Sequence, residues 1–135
     1  MLDTNVFVAA IRNPRKQTKT LRLIMKIIED PNISIVGSSV LVEEMLRYGE
    51  LLKSETAAAI LSALLDKMRL VQVSPNFRTI CKKYVRTPNK ADILHAATCL
   101  QTQSILITND RHFDKIRDAG IINFWSVAEA LKNLL

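Results

Sequence analysis

"ILITNDRHF", residues 105–113, runs an apolar segment into Thr108 and Asn109 and then sets a carboxylate, Asp110, beside Arg111 and His112. An apolar run that stops at small polar residues and an acid marks the end of a buried strand, the edge at which α/β proteins build their sites. Working outward, other short β-branched or apolar runs occur at 33–37 ("ISIVG", after the turn signal Asp30-Pro31-Asn32), 70–73 and 121–124. The chain opens with "MLDTNVFV", in which Met1 and Leu2 lead into a turn-like Asp-Thr-Asn. Between these runs, helical periodicity predicts helices over 17–29, 39–52, 55–68, 76–85, 89–102, 111–118 and 125–134. Short strands alternating with helices predict an α/β fold with three α/β/α layers and a central parallel sheet of four to five short strands.

Composition sets the bounds. A length of 135 residues predicts a single domain over 1–135, able to bury about two-thirds of its unfolded surface. Apolar residues make up 48%, with three Gly and four Pro, which excludes disordered and fibrous classes. No apolar stretch approaches the roughly 20 residues of a membrane-spanning helix, and no signal-peptide pattern is present, so the expected location is cytoplasmic. Cys81 and Cys99 are expected as reduced, buried thiols. The formal charge of +6 favours a polyanionic partner. No acid lies between Asp3 and Glu29, whereas Arg12, Arg15, Lys16, Lys19, Arg22 and Lys26 do, giving one local positive field.

Four acids fall where sites form. Asp3 and Asp110 end strands; Glu44, in "SSVLVEEM", follows the 33–37 strand; Asp92, in "NKADILHAATCL", sits one turn into a helix among apolar neighbours. Glu43 is the alternative to Glu44, since adjacent helical positions point about 100° apart and only one can face the cleft, and counting from Ser38 favours Glu44. Each acid alone has an ordinary role as a helix-terminal residue. Together, four carboxylates in one cleft repel unless divalent cations sit among them, and all-oxygen ligands select Mg²⁺ or Mn²⁺. On a basic protein such a centre suits cleavage of a phosphodiester by metal-activated water. Asp92, His95 and Cys99 share a helix and raise a softer ion such as Zn²⁺ as an alternative, but His95 is better read as a locally bonded core residue.

The set "LDTNVFV", "SSVLVEEM", "KADILHAATCL" and "ILITNDRHF", in that order and spacing, resembles the PIN domain family, which includes the toxins of VapBC-type toxin-antitoxin pairs. The resemblance implies a Mg²⁺- or Mn²⁺-dependent endoribonuclease on a parallel sheet, often a homodimer. It implies Asp3, Glu44, Asp92 and Asp110 as the metal-binding, catalytic set, with Asn5 and Thr108 or Asn109 as supporting polar groups. RNA is the expected substrate, held by Arg12, Arg15, Lys16, Lys19 and Arg111, and a cognate antitoxin is an expected partner. The competing reading is a non-catalytic PIN-like module that binds RNA or protein with a weakened metal site. A phosphotransferase in which Asp3 attacks phosphorus lacks a second acid two residues on, where Asn5 stands. His112 is expected as an exposed helix-start residue, and the α-amino group of Met1 is expected close to the acids.

Overall fold

The computed structural model describes residues 1–13, 15–85 and 90–135. In chain order the elements are α1 (Thr4–Ile11), α2 (Lys19–Glu29), β1 (Ile35–Gly37), α3 (Ser39–Leu52), α4 (Glu55–Lys67), β2 (Met68–Leu70) and α5 (Pro75–Lys82). Then come α6 (Lys90–Thr102), β3 (Leu106–Ile107), a one-turn 3₁₀ segment (Arg111–Phe113), α7 (Asp114–Asp118), β4 (Phe124–Trp125) and α8 (Val127–Leu134). Asn89, where the predicted helix over 89–102 begins, lies outside the described residues.

All strand pairing is parallel, as the alternation of strand and helix requires. Ile35 to Gly37 pair with Met68 to Leu70. Leu106 and Ile107 pair with Phe124 and Trp125, and Leu2 bridges to Ile107 on the other side. The fold is therefore α/β with short parallel strands, but the described residues form two two-stranded pieces and one bridge where a sheet of four to five strands was expected. Strands of two or three residues exchange too few hydrogen bonds to propagate a long ladder, and helix packing carries the fold instead. Phe7, Ile11, Leu23, Ile24, Ile27, Leu41, Met45, Leu64, Leu106, Phe113 and Ile116 are fully buried in one core. Each such side chain contributes about 1.5–3 kcal/mol relative to exposure.

Two elements differ from the sequence reading in an instructive way. Helix α1 was not expected, because "VFVAAI" is β-branched and apolar. Yet Asp3 takes an extended N-cap conformation and Val6, Phe7, Ala10 and Ile11 are all buried, so packing overrides propensity. Strand β2 begins at Met68, two residues before the expected 70–73, because α4 turns into it without a loop. The corner is held by Lys67, whose ammonium donates to the carbonyls of Ile27 and Asp30 and so also closes the end of α2. Beside it, the side chains of Met68 and Leu41 fill the space that a Cβ on Gly37 would take, so a larger residue there requires them to shift.

Candidate metal centre at the strand edge

Asp3 reaches the carboxyl edge of β3 because the first residues of the chain pair with it. Met1's α-amino group donates to Ile105 O at 2.7 Å, Ile107 N to Met1 O at 2.9 Å and Asp3 N to Ile107 O at 3.0 Å. The α-amino group thus serves the strand pairing. Thr108 follows β3 directly and is completely buried; its hydroxyl donates to Asp3 Oδ2 at 2.7 Å and accepts from Asp110 N at 3.0 Å. One hydroxyl therefore ties the first of the four acids to the last. Asp110 in turn accepts from His112 N at 2.9 Å and caps the 3₁₀ turn.

Asp92 enters from the first turn of α6, where it is 8% exposed. It is joined to Asp110 by a side chain that the sequence reading assigned to solvent. His112 Nδ1 stands 3.5 Å from Asp92 Oδ2 and 3.3 Å from Asp110 Oδ1, although the ring remains over half exposed. The only sequence signal for it was position: two residues past the strand-end acid, a tight turn swings the ring back over the carboxylate. Burial pushes the Asp3 carboxyl above its ordinary value; the Thr108 hydrogen bond and His95 pull it down, while Asp110 and Asp92 push it further up. Asp3, Asp92 and Asp110 are thus electrostatic neighbours.

Glu44 occupies a different setting. The Ser38 side chain caps α3 by accepting from Leu41 N at 3.3 Å, which fixes the register that turns Glu44 inward and leaves Glu43 exposed. Glu44 Oε1 accepts from Thr4 Oγ1 at 3.2 Å and lies 2.7 Å from His95 Nε2. Burial raises its pKa, but the hydrogen bond and charge of His95, the Thr4 bond and Arg47 outweigh burial and hold it below the usual glutamate range. His95 is buried as expected, but its hydrogen bond runs to Glu44 on α3 and not to a local partner, and among the described residues its buried Nδ1 has no hydrogen-bond partner. Cys99 and Cys81 are buried free thiols, with burial pushing both up to about 11, so neither offers a thiolate for a soft metal.

The supporting polar residues divide. Thr108 touches the carboxylates. Asn109 instead accepts from Val127 N at 3.2 Å and anchors α8. Asn5 lines a cavity of about 170 Å³ with Ala9, Thr20, Asn109 and Asp110, so it faces the fourth acid across an open space. Arg12, Arg15 and Lys16 are exposed between α1 and α2, Lys19 is exposed at the first position of α2, and Thr20 brings the start of α2 to that cavity. Arg111 is exposed on the 3₁₀ turn beside Asp110.

The donor set suits a hard divalent cation: three aspartates and a threonine hydroxyl, all oxygen, with Asp3's charged form disfavoured in a manner that a bound cation reverses. Spacing is looser than chemistry. Among the described residues no three His, Cys, Asp or Glu side chains come close enough together to hold an ion. Ligation requires the aspartates to draw together, and His112 stands between two of them. Among the described residues no helix is long and apolar enough to cross a membrane.

Comparison with known proteins agrees with this architecture. The chain is similar to one in the crystal structure of VapBC2 from Rickettsia felis bound to a DNA fragment from their promoter, with 18% identity, a TM-score of 0.65, and 93% of this chain and 96% of that chain covered. At that identity the likeness is one of fold. No curated protein matches the chain. The PIN domain family profile matches residues 1–119, a span that contains all four acids and the elements that carry them, and the chain belongs to the PIN domain family.

Proposed function

We propose that this protein is a metal-dependent endoribonuclease that cuts RNA phosphodiester bonds at the Asp3, Glu44, Asp92, Asp110 edge, with Mg²⁺ or Mn²⁺ as the cofactor. The observation that carries the reading is the convergence of Asp3, Asp92 and Asp110 beyond β3, where burial and mutual repulsion disfavour ionised Asp3 in a chain of net charge +6. Family membership supports a nuclease. When bound, a divalent cation would lower the pKa of water and neutralise charge on the leaving oxygen.

The chain's own residues supply the rest. Thr108 fixes one oxygen of Asp3 and the backbone of Asp110 together, which sets two prospective ligands relative to each other. His95 and Thr4 hold Glu44 ionised near the cleft. Asp92 is the acid that α6 contributes, and the exposed cations of residues 12–19 and Arg111 would hold the phosphate backbone. The VapBC2 likeness supports a toxin role with an antitoxin partner that neutralises the acidic edge. Exposed Leu46 and Leu51 on α3 and Ile80 on α5 support self-association as a homodimer.

The position of His112, and the lack of a three-residue ligand group among the described residues, favour one second reading: a PIN module that binds RNA without cutting it. Incubating end-labelled single-stranded RNA with wild type and Asp92→Asn, with Mn²⁺ or with EDTA, separates the two. Cleavage by wild type with Mn²⁺ alone supports the nuclease. Cleavage that persists in EDTA, or in Asp92→Asn at the wild-type rate, overturns it.

A further inference from the structure

A second cationic surface meets the acidic edge, and the sequence reading did not single it out. Arg78 and Lys82 stand four residues apart on one face of α5, and Lys90 begins α6, which packs against α5. With Thr79 they rim an open groove of about 980 Å³ whose floor is aliphatic, from Val40, Ile93 and Leu94. Among the described residues no acid lines this groove and none of the three cations has a carboxylate partner. Like charges at i, i+4 repel, so this face gains from an anionic occupant.

Its position gives the occupant. Lys90 and Ala91 line the groove, while Asp92, next in the chain, faces His112 and Asp110. Successive helical positions point about 100° apart, so the first turn of α6 is the ridge shared by groove and cleft. Val40 stands in the first turn of α3, the helix that also carries Glu44, so one wall of the groove is built on an element that contributes a site acid. A polyanion whose scissile phosphate lies at Asp92 reaches this groove by crossing that ridge.

We propose that the groove between α5 and α6, rimmed by Arg78, Lys82 and Lys90, carries the phosphate backbone of single-stranded RNA on one side of the cleavage site, with ribose and base faces against the aliphatic floor. This rests on the nuclease reading and adds the strand's path. It assigns α5 a function in substrate binding that is separate from the basic segment at residues 12–19.

The test is fluorescence anisotropy with a labelled single-stranded RNA of about 16 nucleotides, in EDTA so that no cleavage intervenes. Wild type is compared with Arg78→Glu/Lys82→Glu and with a charge-matched control on other surfaces, Lys53→Glu/Lys132→Glu. All four side chains are exposed, and circular dichroism checks that each variant folds. Affinity is expected to fall roughly 10-fold or more at about 50 mM salt in the groove variant, with the salt slope smaller by about 1.4, two single-strand phosphate contacts at ~0.7 each. The control should stay near wild type. If both variants weaken binding equally, the groove is not the track and the nuclease reading stands. If wild type binds no RNA, both fail. If the groove variant keeps RNA affinity but loses binding of a labelled polyglutamate peptide, the occupant is an acidic protein segment and the RNA track is overturned.

Discussion

The two halves of the acidic edge shift the same chemical group in opposite directions. On one side Asp3 is buried against Asp92 and Asp110, and although Thr108 and His95 support its charge, burial and repulsion win. On the other side Glu44 is half-buried beside His95, Thr4 and Arg47, and the partners win. Without a cation the fold is strained electrostatically at Asp3 and stabilised at Glu44. A site that needs metal is expected to show this asymmetry: the carboxylate that is unfavourable alone is the one whose charge a cation would stabilise most.

The largest expected effect that tests this contrast is on Asp3. Asp3→Asn should lower Mn²⁺-dependent RNA cleavage by at least about 10³-fold, since several kcal/mol of charge stabilisation are lost. The same change should raise the melting temperature of the metal-free protein, because it removes a buried charge. A lower melting temperature would contradict the assignment of Asp3 as the unfavourable member. Thr108→Val should come next, weakening Mn²⁺ affinity by roughly 10–100-fold through loss of the hydroxyl that ties Asp3 to Asp110. Isothermal titration would read it, and an unchanged Kd would remove Thr108 from the site. Ser38→Ala should cost about 1 kcal/mol in urea unfolding, the usual loss for a helix cap, and would loosen the register that places Glu44.

The smallest effect is in the pH dependence. Glu44, held below its usual value of 4.5, contributes stability that is fully present above that value and lost as pH falls through its folded pKa. Asp3 has the opposite sign: its raised pKa means that the folded state takes up the proton first, so acidification through that pKa favours folding. Glu44→Gln should therefore reduce the loss of stability on the acid side of the profile. Asp3→Asn should flatten the decline as pH rises through the titration of Asp3. Identical profiles for both variants would dissolve the contrast between the two halves.

Much of this site was legible in the sequence because strand ends have a composition. "LIT" running into "ND" placed Asp110 and Thr108 at an edge, and the cap at Ser38 selected Glu44 over Glu43. The alternation of strand and helix gave the parallel pairing. What escaped depends on contacts between distant segments. "VFVAAI" falls in no predicted helix, and the burial of Val6, Phe7, Ala10 and Ile11 on one face makes it part of α1. β2 slides to Met68 because Lys67 is anchored forty residues away at Ile27. His112 looked like a solvated helix-start residue, and only the fold of the 3₁₀ turn brings it between Asp92 and Asp110. Arg78 and Lys82 carry no signal of their own in the sequence, and only the packing of α5 on α6 sets them in one groove with Lys90.

The central claim is that the strand-edge aspartates bind a divalent cation, and a thermal titration reads this directly. Metal-stripped wild type and Asp92→Asn are melted against increasing Mn²⁺. Wild type should gain about 2.7 kcal/mol once Mn²⁺ reaches about 100 times its Kd, while Asp92→Asn stays flat over the same range. If neither protein responds, or both respond alike, the aspartates do not form a metal centre and the non-catalytic reading takes its place.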